Sequence, residues 1–282
     1  MSPDWSRMLE LDGKSMLDHT RNPDRTWLEK YIPDDHRALL RTTIANAVRD
    51  KATFELEHRV LRVDGTIGWV FTRAIPFLDE SGEIVEWFGA ARDITTRKQR
   101  DAAMRASEER QAYLLKLADA LRPLTNADEI QETAARVLGE RLNSTRAFYF
   151  SAEWDHASNV YVHVITRDYY RHPSMGSIVG RYPNCEGDTL FAGLPKGENL
   201  IVDDVNTLPG LTAAYRNRYA TLEIRSLATV PLVKNGRFVA AMGVNDAAPR
   251  HWTEEEIALL EETAERTWAA VERARAEEAL AM

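Results

Sequence analysis

Between Arg97 and Leu121 the sequence holds neither glycine nor proline, only strong helix formers such as Ala, Glu, Arg, Lys and Leu. The run from Asp93 to Leu124 therefore predicts one long helix, with Thr95 and Thr96 able to cap its start and Pro123 closing it. It joins two halves that each read as a compact module. Its first part is charge and alanine, whereas Leu114, Leu117, Leu121 and Leu124 recur at spacings of three and four and mark an apolar stripe near its end. Ser107 and Arg110, seven residues before Leu114 and Leu117, make a poor coiled-coil seam. A solvated linker and a helix that carries displacement between modules of a dimer are both compatible with this pattern.

Composition narrows what the modules can be. The 282 residues suffice for two domains that each bury a core, and 44% hydrophobic with 28% charged residues is the balance of a soluble globular chain. A net charge of -8 argues against a general nucleic-acid partner, which needs a basic face to neutralise phosphates. No apolar run approaches the roughly 18 residues of a membrane span, and no basic start leads into an apolar signal core, so a cytoplasmic chain with no membrane partner is expected. The single cysteine, Cys185, can form no internal disulfide and no Cys-rich metal site, which fits a reducing compartment.

In the first half, Asp12-Gly13 signals a turn, and an aromatic patch from Arg25 leads to Pro33-Asp34, a helix start. The helix that follows carries Leu39, Leu40, Ile44, Ala47 and Val48 on one side. A strand from Thr53 to Arg62 then sets Phe54, Leu56, His58 and Val60 against Glu55, Glu57 and Arg59, one face buried and one wet. Asp64-Gly65 marks a hairpin, a second strand runs from Ile67 to Ile75, and a third from Ile84 to Ile94 after the turn at Glu80 to Glu83. His58 lies in the inward register, where a lone histidine is ordinarily a core residue with one hydrogen bond; His19 and His36 fall in loop or helix-start positions. No three ligands stand at metal spacing.

Phe54 to Arg59, Asp64-Gly65-Thr66, Trp69, Gly82-Glu83 and the closing Asp93-Ile94-Thr95 together resemble the C-terminal strand triplet, the PAC region, of a PAS domain. The resemblance implies that Asp93 and Thr95 tie the last strand to the outgoing helix and act in signal relay. PAS domains open with two strands, and too few residues precede the aromatic patch here, so the first strand is expected to be missing or very short. The cysteine-bearing flavin motif of light-sensing PAS relatives is absent from this half.

In the second half, Asn126 can cap a helix with Glu129 three residues on and Ile130, Ala134, Val137 and Leu138 on its buried face. Strands are expected at Arg146 to Glu153 and Val160 to Thr166, followed by a long irregular stretch over residues 167 to 199, of the kind that is usually functional. A short strand at Leu200 to Val202, the acidic pair Asp203-Asp204 and a helix-like run from Leu211 to Tyr219 lead to a hairpin, Ser226 to Val233 and Phe238 to Asn245, around Asn235-Gly236. Thr253 with Glu256 forms a capping box, with Trp252 and Ile257 as its hydrophobic staple. In the final helix, Ile257, Ala264 and Val271, with Leu260, Thr267 and Ala274 beside them, make a weak but usable seam for a second copy.

Leu227 to Val233, the Asn-Gly turn, Val239 to Val244 and His251 to Glu256 in this order resemble a GAF domain. The fold class expected is α+β, two sensory modules that each pair an antiparallel sheet with flanking helices. The boundaries expected are a shortened PAS-like domain at 1–95, a connector helix at 96–122, a GAF-like domain at 123–252 and a C-terminal signalling helix at 253–282. The resemblance implies a small ligand held under residues 167 to 204, near Trp154, His163, Tyr169, Tyr170, Tyr182, Cys185 and Asp203, with its identity and any cofactor unknown. Related photoreceptors attach a bilin through a GAF cysteine, but Cys185 is followed by Glu186 rather than their usual histidine. A lone thiol also lacks the partner needed for a disulfide redox cycle.

No nucleophile, base or metal constellation for catalysis is legible. PAS followed by GAF and a Glu/Arg/Ala-rich helix resembles the input half of bacterial sensor histidine kinases, and the chain stops where a phosphoacceptor region would begin. The expected role is a non-enzymatic sensory input region, a homodimer whose output partner is a histidine kinase or other module. The alternative is a ligand-free dimerisation and docking scaffold. The pocket separates them: convergent polar groups favour the sensor, a core filled by Phe148, Phe150, Trp154 and Tyr161 the scaffold.

Overall fold

The computed structural model describes residues 27–62, 64–184 and 190–281. The turn at Asp12-Gly13, His19, the question of the first strand and Cys185 lie outside these residues. The chain divides into two compact units, residues 1–107 and 108–282, and the fold class is α+β. Among the described residues no helix is long and apolar enough to cross a membrane.

The first unit contains α1 (Trp27–Tyr31), α2 (Asp34–Asp50) and an antiparallel sheet of β1 (Phe54–Leu61), β2 (Ile67–Leu78) and β3 (Ile84–Asp93), in the order β1-β2-β3. α2 starts directly after Pro33, whose fixed φ suits a helix entry. Its buried stripe is narrower than the sequence predicts. Leu40 and Ala47 are buried and Ile44 packs beside them, whereas Leu39 and Val48 are exposed, each about 100° around the helix from its buried neighbour. Phe54, His58 and Val60 of β1 face α2, as their alternation predicts. The Lys51 ammonium ties the end of α2 to the β2–β3 turn through the Gly82 carbonyl and the Glu83 carboxylate, at 2.6 and 2.7 Å. Among the described residues β3 pairs only with β2, and its Val85 and Phe88 are about two-thirds exposed.

A single helix, α3 (Thr95–Leu121), crosses the boundary in the chain between the units. Its capping differs from expectation. Thr95 is the first helical residue, and its N–H is taken by the Asp93 carboxylate at 2.7 Å. Leu117 and Leu121 are buried in the second unit with Tyr113, and Leu114 and Leu124 pack against them, so the apolar end of the connector is core.

The second unit adds α4 (Ala127–Leu142), β4 (Arg146–Asp155), β5 (Val160–Ile165), β6 (Asp168–Tyr170), β7 (Gly180–Pro183), β8 (Leu200–Val202), α5 (Ala213–Thr221), β9 (Ser226–Lys234), β10 (Arg237–Asp246) and α6 (Glu254–Ala281). The sheet runs β7-β5-β4-β10-β9-β8, with β6 also paired to β4, and every pairing is antiparallel. The described residues from 167 to 184 are more ordered than the sequence predicts, because β6 and β7 use them to extend the sheet. Asn126 caps α4, accepting from the N–H groups of Asp128 and Glu129. Asn235 and Gly236 both have positive φ, as a two-residue turn between right-twisted strands requires.

One face of this sheet packs on helices. Ala147 and Tyr149 of β4, Ala228, Val230 and Leu232 of β9, and Ala240, Met242 and Val244 of β10 meet α3, α4 and α6 there. The opposite face carries Phe148, Phe150, Leu227, Thr229 and Asn245 toward α5 and the loops. A bulge between Phe238 and Ala240 switches the parity of β10, so Phe238 turns to the second face while Ala240 and Met242 keep to the first. Pro231 is accommodated because β8 pairs with β9 only at Leu227 to Thr229.

The capping box of α6 is present: Thr253 Oγ1 accepts from the Glu256 N–H at 3.2 Å and Glu256 Oε2 from the Thr253 N–H at 3.0 Å. The seam expected on α6 for a second copy is occupied by the chain itself. Leu260, Ala264, Thr267, Val271 and Ala274 are buried against the unit's own core, and the buried Tyr113 hydroxyl lies 2.8 Å from Thr263 Oγ1. Burial pushes the Tyr113 phenol up to about 12.

Candidate functional site

The second face of the large sheet encloses a cavity of about 100 Å³. Its floor is made by alternate residues of the central strands: Phe148 and Phe150 from β4, His163 from β5, Thr229 from β9 and Asn245 from β10. The wall is α5, where Thr212 caps the helix and Tyr215, Arg218 and Tyr219, at helical spacings of three and four, face inward. Tyr182 of β7 and Phe191 complete the surround. The aromatic rings stand in sequence, Phe150 stacked on His163 at 4.3 Å, His163 edge-on to Phe191 at 5.3 Å and Phe191 tilted to Tyr215 at 5.9 Å.

Two polar groups set the electrostatics of this apolar chamber. The half-buried Arg218 guanidinium stacks 4.2 Å above the Tyr182 ring, and among the described residues no carboxylate pairs with it. Asn245 is 3% exposed, lies across the strands from Arg146 and Leu227, and its side-chain carbonyl has no hydrogen-bond partner among the described residues. A buried amide left unsatisfied costs about 1–3 kcal/mol, so a native structure that keeps one at a cavity wall invites an occupant. Gly243 on β10 makes the chamber possible in its present shape, since a Cβ there would meet Phe148 Cζ at 2.4 Å.

Arg146 holds the frame. It is fully buried, and its guanidinium donates to the carbonyls of Leu222 at 2.6 Å and Gly176 at 3.3 Å and also to that of Met175. It thereby joins the end of α5 to the loop before β7, the two segments that flank the cavity. Burial lowers the Arg146 pKa, with Asp168 and Glu223 opposing the change.

Of the residues the sequence assigns to the site, His163 and Tyr182 line the cavity. Trp154, Tyr169, Tyr170 and Asp203 do not meet there, and Cys185 lies outside the described residues. Trp154 sits at an exposed strand position edge-on to Tyr161, 4.8 Å away. Tyr169 belongs to the helix face, its ring directly over Gly139 of α4, and Tyr170 next to it is exposed. Asp203 is a structural anchor for the approach to α6: its carboxylate binds His251 Nδ1 at 2.8 Å and its carbonyl accepts the Arg250 N–H at 3.0 Å. Hydrogen bonding to Asp203 raises the His251 pKa. Arg218, Thr229 and Asn245 were not foreseen; a polar Asn closing the apolar run of β10 was the signal available.

Asp93 and Thr95 come together at the start of α3. Thr95 Oγ1 accepts from the Trp69 N–H and from Arg62 Nη2, both at 2.8 Å, and Asp93 Oδ2 accepts from the same Arg62 nitrogen at 2.9 Å. The Ile94 N–H donates to the Trp69 carbonyl at 2.9 Å. Burial opposes ionisation of Asp93, but the Thr95 hydrogen bonds and the Arg62 charge outweigh it and hold the carboxyl below its ordinary range. Gly68 clears the space for this knot, because a Cβ there would stand 2.6 Å from Arg62 Nε.

No curated relative matches the sequence. Similar solved structures include the GAF domain of a phosphoenolpyruvate-protein phosphotransferase from Coxiella burnetii, 17% identical over 61% of this chain and 98% of that one, with a TM-score of 0.49. A free methionine-R-sulfoxide reductase from Neisseria meningitidis is 19% identical over 61% and 93%, TM-score 0.48. The PixJ GAF domain of Thermosynechococcus elongatus, in its blue-light-absorbing form, is 20% identical over 55% and 90%, TM-score 0.45. The PAS fold matches residues 1–91 and the GAF domain matches residues 126–271, just over half of the chain. The chain therefore belongs to the GAF domain family and carries a PAS fold ahead of it, two sensory domains in series with a sensory signalling role.

Proposed function

We propose that the second unit binds a small molecule in the cavity beside α5 and that occupancy is relayed through α3 and α6 to an output partner of the histidine-kinase type. One observation carries this reading: β4 and β10 present the cavity on one face and the signalling helices on the other. Along β4, Phe148 and Phe150 touch the cavity while Ala147 and Tyr149 touch the helices. A shift of either strand on binding would therefore be felt by Leu117, Leu121 and the buried row of α6 without any intervening layer, because packed interiors transmit displacement. The chain acts as a cytoplasmic, non-catalytic input region and as a homodimer in this proposal. Since the inward rows of α3 and α6 are already covered, the dimer contact would use their outward rows, where Leu115 is exposed.

The full chain purified from its native cytosol, examined by native mass spectrometry with an absorption spectrum, tests the reading. A small molecule at one per chain, with amide exchange in α3 and α6 that changes when it is removed, is the expected result. An empty chain whose helices exchange identically before and after incubation with a cell extract would instead favour the scaffold reading. Inserting helix-breaking residues at Ala106 should uncouple ligand addition from the activity of a reconstituted kinase partner.

A further inference from the structure

We propose that the ligand of this cavity is a hydroxylated aromatic monocarboxylate of a single ring, with its carboxylate on Arg218 and its hydroxyl against Asn245. The proposal rests on the sensory reading above and names the chemical class which that reading leaves open. Size comes first. An engineered apolar cavity of roughly 150 Å³ accepts benzene, and drug-sized ligands occupy roughly 300 Å³ or more. A cavity of about 100 Å³ is smaller than that benchmark and therefore takes no more than one ring, with any charged substituent at the rim. Fused-ring nucleotides and open-chain tetrapyrroles exceed it.

Shape and charge then select the ring and its substituents. Phe148, Phe150 and Tyr215 offer aromatic surfaces to the interior, which favours a planar, apolar body. Arg218 is a fixed cation at the wall, already stacked on Tyr182 and with no carboxylate of its own among the described residues. A guanidinium fork in that position matches a carboxylate with two parallel hydrogen bonds. Asn245 sets the other end. Its buried side-chain carbonyl lacks a donor, and a ring hydroxyl satisfies a side-chain amide in either orientation because it both donates and accepts. An unsubstituted ring would leave that carbonyl unsatisfied, and a second carboxylate would find no second Lys or Arg, since Arg218 is the one such side chain among the described lining residues.

The test titrates the full chain calorimetrically with 2-, 3- and 4-hydroxybenzoate, benzoate, phenol and cyclic AMP. At least one hydroxybenzoate isomer should bind at one per chain, with benzoate and phenol each weaker by tenfold or more. In Arg218→Gln that isomer should lose tenfold or more while phenol is unchanged; in Asn245→Leu the preference for hydroxybenzoate over benzoate should vanish. Asn245 is buried and its variant could fail to fold, whereas Arg218 is half-buried on the wall helix, so Arg218→Gln with an unchanged circular dichroism spectrum is sufficient on its own. Hydroxybenzoate binding that Arg218→Gln does not weaken overturns the proposal. Binding of phenol or cyclic AMP without any hydroxybenzoate overturns the ligand class and leaves the sensory reading standing. No binding of any probe, together with an empty native mass spectrum, overturns both.

Discussion

The two sheets of this chain each bury a polar strand residue, and they treat it in opposite ways. In the first unit His58 is satisfied on both sides, Nε2 with Thr72 Oγ1 at 3.0 Å and Nδ1 with the Arg59 carbonyl at 3.2 Å. In the second unit Asn245 is buried as deeply, yet its side-chain carbonyl meets nothing among the described residues, and the residue lines a cavity. A satisfied buried group fixes a fold, while an unsatisfied one at a void leaves a vacancy of defined chemistry. On the proposed reading, the first of these sites does structural work and the second recognises the ligand.

The contrast can be broken most severely at Arg146. Arg146→Met strips the donor from the carbonyls of Met175, Gly176 and Leu222, and should destabilise the second unit by about 3 kcal/mol or more in chemical denaturation, with amide exchange in β1 to β3 unchanged. Gly243→Ala should cost about 1–3 kcal/mol, because the new Cβ drives Phe148 toward the cavity, and ligand affinity should fall with it. In the first unit, Thr95→Val withdraws the acceptor from the Trp69 N–H and Arg62; a loss of about 1–2 kcal/mol and faster exchange of the Trp69 amide are expected.

The smallest effect comes from acid and sharpens the reading of His58. Burial lowers its pKa, with the Arg59 carbonyl opposing and His36 adding to the shift. The neutral ring is thus favoured in the fold, and the unfolded chain binds the proton more readily. His58 therefore contributes stability above the ordinary imidazole value of about 6.5, and that stability is lost as the pH falls through its folded value. Exchange of β1 amides should accelerate on acidification below the ordinary imidazole value of about 6.5 beyond the intrinsic change, and His58→Gln should flatten the dependence.

Much of this architecture was legible because it rests on local chemistry. The Asn235-Gly236 turn, the Thr253 and Glu256 capping box and the glycine-free connector each determine their element with few neighbours involved. What escaped depends on contacts distant in sequence. Trp154 and Tyr169 carry the same aromatic signal as Phe148 and Tyr215, yet Trp154, which shares the parity of Phe148 and Phe150, lies near the far end of β4 against Tyr161, and the pairing of β6 with β4 sends Tyr169 to the helix face. Asp203 looked like a ligand group because its partner, His251, is far along the chain. Arg146 reads as a surface charge until three carbonyls from two segments distant in sequence converge on it.

The bulge in β10 has an evolutionary corollary. Because the side-chain parity resets between Phe238 and Ala240, the hairpin tip and the inner strand are separately mutable modules. Phe238, which supports the Phe150 and His163 rings from behind, can drift with the tip while Met242 and Val244 stay under selection from the helices. Deleting Val239 would fuse the two registers and bind the history of the cavity face to that of the helix-packed face.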